Sequence, residues 1–170
     1  RQGASAPAGA NPAEIFVGDF DRDGHPDLAI ANHDTSFVTI LLGDGKGGFR
    51  PAPGSPLTVH SKPHPHTVDG CDANGDGNLD LVIDSWEEER LTLLLGDGKG
   101  GFRTPGLAIE VGRKPYRNLK LLDVNGDGKC DIVAPSYGKG VVTILLGDGR
   151  GNFKAGAPIP AGSAPFTVDI

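Results

Sequence analysis

The fold of this chain is decided by the stretch Asp19-Phe20-Asp21-Arg22-Asp23-Gly24-His25-Pro26-Asp27, with oxygen-bearing side chains at positions 1, 3, 5 and 9 and glycine at position 6. The pattern returns as Asp72-Ala73-Asn74-Gly75-Asp76-Gly77-Asn78-Leu79-Asp80 and as Asp123-Val124-Asn125-Gly126-Asp127-Gly128-Lys129-Cys130-Asp131. Alternate residues of a tight loop can point inward together, and glycine permits the sharp turn because it has no Cβ. We refer to these stretches as loops 1, 2 and 3.

The three loops have the composition of calcium sites, because Ca²⁺ takes six to eight oxygen ligands from carboxylates, amides and backbone carbonyls. We predict one Ca²⁺ per loop, bound by the side chains at positions 1, 3, 5 and 9 and by the backbone carbonyl at position 7. The predicted ligand residues are Asp19, Asp21, Asp23, His25, Asp27, Asp72, Asn74, Asp76, Asn78, Asp80, Asp123, Asn125, Asp127, Lys129 and Asp131. Asp, Asn and Gly also form ordinary turns, but turn formation alone does not explain three copies of the same five positions.

Composition sets bounds on the fold and the partners. The 170 residues suffice for one domain with a sizeable core, and the 27 glycines and 14 prolines disfavour helix interiors. The net charge of −6 lies largely in the loops, and no cluster of Lys and Arg indicates a nucleic-acid partner. No apolar run approaches the roughly 20 residues that span a bilayer, so we expect no membrane span.

The chain also repeats outside the loops. The stretch Leu42-Gly43-Asp44-Gly45-Lys46-Gly47-Gly48-Phe49 returns unchanged at residues 95–102, and at residues 146–153 with Arg150 and Asn152 in place of a lysine and a glycine. Asp19 and Asp72 are 53 residues apart, and Asp72 and Asp123 are 51 apart. One unit of about 51 residues is therefore used three times.

Each unit has the pattern of four short strands, A to D. Strand A is predicted at 14–18, 66–70 and 118–122, strand B at 28–31, 79–83 and 132–134, and strand C at 37–42, 91–95 and 141–146. Strand C is apolar on both faces, which is typical of a strand covered on both sides. A glycine-rich hairpin then leads to strand D, which is predicted to open with Phe49, Phe102 or Phe153.

A four-stranded unit of this length, repeated in tandem, predicts an all-β fold of β-propeller blades. A β-solenoid is the alternative, but its rungs are much shorter than 51 residues. An EF-hand is excluded because position 12 holds Ile30, Ile83 or Ala134 instead of glutamate. The glycine-rich turn is no phosphate-binding loop, because it lacks the Gly-Lys-Ser/Thr ending and a following helix.

Together, the Asp-x-Asp-x-Asp-Gly-x-x-Asp loop and the Leu-Gly-Asp-Gly-x-Gly-x-Phe turn resemble the FG-GAP/VCBS repeat family, the calcium-binding propeller blades of integrin α-subunits and many bacterial surface proteins. The resemblance covers essentially the whole chain, and the lead-in from Pro12 to Asp19 also fits. It implies that each loop joins the innermost strand to the second strand and holds one Ca²⁺. Asn74 and Asn125 replace Asp21 at position 3, which removes one charge from each of those two sites.

The repeat phase divides the chain into 1–12 (strand D of a preceding blade and a linker), 13–64 (blade 1), 65–115 (blade 2), 116–164 (blade 3) and 165–170 (the first strand of a further blade). Three blades are fewer than the roughly four to eight of known propellers. We expect a part of a larger propeller, of about seven blades by analogy with the family. Neighbouring blades of the same or another chain would then be partners, and closure by homo-oligomerisation is the alternative.

Two further features leave alternatives open. Cys71 and Cys130 lie on the calcium-loop side of neighbouring blades, as a disulfide that suits an extracellular protein or as two small buried hydrophobes. The connections on the opposite face offer candidate ligand-binding residues, namely Trp86, Tyr137, His64, His66, Tyr116 and Arg117. Exposed aromatic and polar groups suit sugar or protein recognition, whereas Trp86 can also pack over a blade edge. A zinc site at His64 and His66 lacks matched ligands.

No nucleophile–base pair or pair of catalytic acids stands out in the sequence. We therefore expect a non-enzymatic module, extracellular, periplasmic or at the cell surface, with structural Ca²⁺ and a glycan or protein partner. Extracellular calcium modules work at about 10⁻⁴ to 10⁻³ M. Two alternatives stay open: the propeller domain of a lyase-like, polysaccharide-processing enzyme whose catalytic domain lies outside this segment, and a subunit of an extracellular filament.

Overall fold

The computed structural model describes residues 5–59, 65–85, 88–111, 115, 118–136, 139–163 and 165. These residues form strands and no helix, which confirms the all-β prediction. Within the same ranges, no helix is long and apolar enough to cross a membrane.

The described strands form three antiparallel sheets, each a meander of consecutive strands. Sheet 1 contains β1 (Pro12–Gly18), β2 (Asp27–Asn32), β3 (Phe37–Gly43), β4 (Phe49–Pro51) and β5 (Leu57–Thr58). Sheet 2 contains β6 (Val68–Cys71), β7 (Asp80–Ile83), β8 (Arg90–Leu94) and β9 (Leu107–Glu110). Sheet 3 contains β10 (Lys120–Leu122), β11 (Asp131–Ser136), β12 (Val141–Gly147), β13 (Phe153–Ala155) and β14 (Ile159–Pro160). These sheets are the three predicted propeller blades, and strands A, B and C lie within a few residues of their predicted places.

The outer strand differs from the prediction. In blades 1 and 3 it is split into two segments, since β4 and β5 both pair with β3, and β13 and β14 both pair with β12. In blade 2 it begins only at Leu107, and Phe102 forms an isolated bridge with Gly96. Phe102 therefore pairs with the end of strand C as Phe49 and Phe153 do, but through a single bridge, and the regular outer strand starts only at Leu107. Pro105 stands between them, and proline cannot donate a ladder hydrogen bond.

The hydrophobic core lies between adjacent blades. Val38, Ile40 and Leu42 of β3 cluster with Leu81 and Ile83 of β7. At the next junction, Leu91 and Leu93 of β8 occupy the same register and cluster with Leu145, Leu119 and Ile132 of blade 3. Burying this apolar surface stabilises one blade against the next by roughly 25 cal/mol per Å².

Strand C is buried on both faces in blades 1 and 2, as expected, but less so in blade 3. Leu146 is the register counterpart of Leu42, and it is 44% exposed where Leu42 is 2% exposed. On the far side of blade 1, Ile15 is 52% exposed, whereas its counterparts Val68 and Leu119 are each 2% exposed. Both exposed residues lie on sheet faces turned away from blade 2.

The inner strands are joined by polar contacts across the blades. Glu14, Thr67 and Asn118 share one register position, and the Asn118 backbone N–H donates to the Thr67 hydroxyl at 2.7 Å. The Leu121 backbone N–H donates to Oδ2 of Asp69 at 3.0 Å. Burial raises the pKa of the Glu14 carboxyl, although a hydrogen bond from Thr67 and the charge of Lys120 act against the shift.

The strands predicted at the two ends stay predictions. Residues 1–4 and 166–170 lie outside the described residues, and residues 5–11 form no strand.

Candidate metal centres and the opposite face

The first aspartate of each loop orders the turn that follows it. Each loop joins the innermost strand of its blade to the second strand. Asp19 accepts hydrogen bonds from the backbone N–H groups of Asp23 and Gly24, at 3.1 and 2.9 Å. Asp72 and Asp123 accept equivalent bonds from the residues at positions 4, 5 and 6 of their loops. The carboxylate at position 1 is therefore held toward the centre of the turn in all three copies.

The aspartate at position 9 is fully buried in each loop and accepts two backbone hydrogen bonds. Oδ2 of Asp27 accepts from Phe20 at position 2, and Oδ1 accepts from Gly43 at the end of β3, both at 2.7 Å. Asp80 and Asp131 repeat both bonds at 2.8 to 3.1 Å. Position 9 therefore ties its loop to the strand C end of the same blade. Each carboxylate oxygen retains a second lone pair that can face a cation.

Burial and neighbouring acids raise the pKa of two of these aspartates. Burial is the largest cause for Asp80, whose pKa rises to about 6, with smaller contributions from Asp76 and Asp72. Burial also raises the pKa of Asp27. A cation bound in the loop would act in the opposite direction, because an opposite charge favours the ionised carboxylate.

Loop 1 brings three carboxylates together. Asp19, Asp21 and Asp27 each place one oxygen within 4.8 Å of the others. Oxygens on opposite sides of a Ca²⁺ ion lie about 5 Å apart, since each Ca–O distance is about 2.3–2.6 Å. In loops 2 and 3, the Asn74 and Asn125 carbonyl oxygens accept the position 5 backbone N–H at 2.9 Å, as Asp21 does at 3.3 Å in loop 1. The donor set and its spacing fit a hard cation.

The loops contact one another through a residue that the sequence reasoning did not assign. Position 4 has a positive φ in all three loops, at Arg22 (61°), Gly75 (77°) and Gly126 (78°). The Arg22 guanidinium donates to the Gly77 carbonyl of loop 2. Glycine at position 4 in two of the copies indicated the backbone requirement, but nothing in the sequence indicated the contact.

The glycine-rich turn also joins neighbouring blades. Within the turn, Oδ1 of Asp44 accepts from the backbone N–H groups of Lys46 and Gly48, at 2.7 and 2.8 Å. Across the blade junction, the Gly100 N–H donates to the Phe20 carbonyl of loop 1 at 3.0 Å. Gly151 repeats this bond to Ala73 of loop 2 at 2.9 Å. The turns of blades 2 and 3 therefore support the loop of the preceding blade, a role that the prediction of a simple hairpin missed.

A disulfide joins the end of β6, directly before loop 2, to loop 3. Cys71 precedes Asp72, Cys130 precedes Asp131, and their Cα atoms are 6.4 Å apart across the bond. Of the two alternatives that the sequence left open, the structure contains the disulfide.

The opposite face carries the predicted ligand-binding residues, and of these only His66 lies among the described residues. Its side chain is 7% exposed, and its ring centroid is 4.5 Å from that of His33 in blade 1. Its backbone N–H donates to Oδ1 of Asp84 at 2.7 Å. His66 is thus packed into the junction of blades 1 and 2. The predictions for Trp86, Tyr137, His64, Tyr116 and Arg117 fall outside the described residues and stay predictions.

Comparison with known proteins identifies the repeat. Residues 19–83 match the family model of the FG-GAP-like repeat. The chain carries an FG-GAP-like repeat. The match runs from loop 1 through blade 1 to the end of β7, and it confirms the resemblance that the two motifs predicted. No curated protein sequence matches the chain.

A solved lectin structure shares the fold of this FG-GAP-like chain. The lectin comes from Agrocybe aegerita and is described as specifically recognising non-reducing terminal N-acetylglucosamine. The likeness has a TM-score of 0.57 at 23% sequence identity and covers 84% of this chain. The chain corresponds to 37% of the lectin's length. At this identity the likeness supports the β-propeller architecture alone.

Proposed function

We propose that this FG-GAP-like chain is a calcium-binding β-propeller module that recognises a glycan outside the cytoplasm. The observation that carries the proposal is the oxygen cluster of loop 1, in which Asp19, Asp21 and Asp27 approach within 4.8 Å of one another. Loops 2 and 3 repeat its hydrogen bonding. The position 5 aspartates and the backbone carbonyls at position 7 would complete the coordination.

The role proposed for Ca²⁺ is structural. When bound, the ion supplies positive charge to a loop that holds four acidic or amide side chains. The chain's own residues position the site: the turn N–H groups orient the carboxylate at position 1, and the position 9 aspartate links the loop to strand C. In this account a bound ion stiffens the loops, which contact one another through Arg22 and through the disulfide.

Two observations support recognition outside the cytoplasm. Disulfides persist in oxidising compartments and are rare in reducing ones, and the cysteines are paired. The shared fold with a lectin favours a glycan over other partners. We propose no catalytic role; cleavage of polysaccharide by the purified protein would overturn that part of the account.

The experiment has two parts. Thermal unfolding with 2 mM Ca²⁺ and with EDTA tests the structural role of the ion, and we expect a higher melting temperature with Ca²⁺. Screening the labelled protein on a glycan array, with Ca²⁺ throughout, tests recognition. Identical melting curves would contradict the calcium proposal, and an array without a bound glycan would contradict the recognition proposal.

A further inference from the structure

A cleft of about 580 Å³ lies between blades 1 and 2 on the side of the calcium loops. It follows from the broken outer strand of blade 1. Between β4 and β5, residues 53–56 leave the strand C ladder, and this segment and β5 form one wall. Loop 2 and the glycine-rich turn of blade 2 form the other wall. The volume lies within the range of about 300–1,000 Å³ that small-ligand sites occupy.

The floor of the cleft is apolar. Leu57 is 5% exposed and belongs to the core between the two blades. The half-buried Phe102 ring packs edge-on against Phe20, with centroids 5.5 Å apart. Apolar and aromatic surfaces of this kind can accept the C–H face of a pyranose ring, which removes that face from water.

The rim carries polar groups whose orientation is fixed. Oδ1 of Asp97 accepts the backbone N–H groups of Lys99 and Gly101, at 2.8 and 2.9 Å. The Asn74 amide donates to Oδ2 of Asp76 at 2.9 Å. Fixed acceptors of this kind suit sugar hydroxyls, which donate to them.

Arg103 supplies the donors. The exposed Arg103 residue lines this cleft and an adjoining one of about 150 Å³. Its guanidinium can donate to hydroxyl oxygens, while the carboxylates accept hydrogen bonds from the same or adjacent hydroxyls. Acceptors on Asp76 and Asp97 beside donors on Arg103 match the hydroxyl groups of a neutral sugar, which both donate and accept hydrogen bonds. The register counterpart in blade 1, Arg50, lies 3.8 Å from Asp21 of its own loop.

We infer that this cleft binds a neutral pyranose at the end of a glycan, stacked on Phe102 and hydrogen-bonded to Asp76, Asp97 and Arg103. The inference rests on the proposed glycan recognition, but it moves the site from the opposite face to the calcium-loop side. Asn74 and Asp76 are positions 3 and 5 of loop 2, so the cleft and the loop 2 metal site share a wall. Sugar affinity therefore depends on Ca²⁺.

The test is titration of the 170-residue chain with methyl glycosides of N-acetylglucosamine, galactose and mannose, and with glucuronate as the anionic comparison. Binding is measured by saturation-transfer NMR and calorimetry. Arg103→Ala should weaken binding of the preferred neutral sugar by about tenfold or more, since hydrogen bonds involving charged groups contribute about 1.5–3 kcal/mol. Thr58→Trp, at an exposed position of β5 that lines the cleft, should abolish binding by filling it.

Lys154→Ala is the matched control, because Lys154 holds the same register position in blade 3, outside the cleft. It should leave sugar affinity unchanged, and all three variants should retain the wild-type melting temperature. EDTA should weaken sugar binding to the wild type several-fold.

The outcomes separate the two proposals. Neutral-sugar binding that survives both Arg103→Ala and Thr58→Trp overturns the cleft and leaves glycan recognition standing. Tighter binding of glucuronate than of the neutral sugars overturns the proposed ligand class. Equal sugar affinity in Ca²⁺ and in EDTA overturns the inference that the metal site of loop 2 forms part of the sugar cleft. No binding of any glycoside here, together with none on the glycan array, overturns both proposals.

Discussion

The buried aspartate at position 9 has two tasks in each blade. Its two oxygens accept backbone N–H groups from its own loop and from the end of strand C, and it is also a predicted calcium ligand. The other predicted side-chain ligands lie nearer the surface. Metal binding and folding therefore make different demands on residues within one nine-residue motif, and substitutions can separate them.

Asp80→Ala should destabilise the chain even in EDTA. The substitution leaves the N–H groups of Ala73 and Gly96 without their acceptor, and an unsatisfied buried group costs about 1–3 kcal/mol. We expect a loss of about 2 kcal/mol or more in urea unfolding. Asp76→Ala is the control, because this residue is exposed at position 5. It should lower the free energy of unfolding in Ca²⁺ and change it little in EDTA. Equal stability of Asp80→Ala and wild type in EDTA would contradict the role assigned to position 9.

The half-buried Glu14 carboxyl should make the stability of the fold depend on pH, independently of the metal sites. Burial raises its pKa in the folded state, so the fold favours the protonated carboxyl. Its contribution to stability is present below about pH 4.5, the ordinary value, and is lost as the pH rises through the folded pKa. In saturating Ca²⁺, the stability of Glu14→Gln relative to wild type should therefore increase from pH 4.5 to 7.5. A flat difference between Glu14→Gln and wild type over this pH range would refute the prediction.

At the scale of the secondary-structure elements, the turns and loops form a chain of contacts across the blades. The strand C–D turns of blades 2 and 3 each donate a hydrogen bond to the loop of the preceding blade, and the disulfide joins the end of β6, directly before loop 2, to loop 3 covalently. The strands carry the packing between blades, while these connections set the positions of the metal loops relative to one another.

Alanine substitutions at two of the turn glycines can separate the cost of local backbone strain from the cost of disturbed packing between blades. Gly100 has φ +82°, and a Cβ there would meet the Leu42 side chain, whereas Gly47 has φ +93° and nothing within 4 Å. Alanine with a positive φ costs about 1 kcal/mol or more. Gly47→Ala should show that cost alone, and Gly100→Ala should lose about 2–3 kcal/mol in urea unfolding, because the contact with Leu42 adds to it. Equal losses would mean that the turn does not take part in the blade junction.

The disulfide should contribute stability to blades 2 and 3. Its cysteines are 59 residues apart, and in the chain-entropy treatment a loop of that length corresponds to about 4 kcal/mol. The double substitution Cys71→Ser/Cys130→Ser should lower the free energy of unfolding by about 2–4 kcal/mol. Reduction of the wild type should reproduce this loss and leave the double variant unchanged. A reductant effect of equal size on both proteins would contradict the assignment.

At the scale of the whole molecule, the parts that repeat were predictable and the parts that break the repeat were not. The repeat spacings of 53 and 51 residues predicted the order of strands in each blade, because every blade must bury the same faces. The late start of the outer strand in blade 2 depends on Pro105. The contacts of Arg22 and Gly100 depend on which blade is adjacent, and the spacing of Cys71 and Cys130 fits both pairing and burial.

The cleft between blades 1 and 2 belongs to the same class of unpredicted features. It arises where residues 53–56 leave the ladder in blade 1 opposite Phe102 in blade 2, and the sequence of neither segment alone indicates a binding site. Sequence reasoning placed the ligand on the opposite face because exposed aromatic residues were predicted there. The site therefore depends on how two blades meet and not on a motif within one of them.

Calorimetric titration of the EDTA-stripped chain with Ca²⁺ decides whether the three aspartate loops are calcium sites. About three ions per chain should bind, at affinities typical of extracellular modules, about 10⁻⁴ to 10⁻³ M. The triple variant Asp23→Ala/Asp76→Ala/Asp127→Ala, which keeps every position 9 aspartate, should fold and bind none. Absence of calcium binding by the folded wild type, or the same stoichiometry in the triple variant, would contradict the claim.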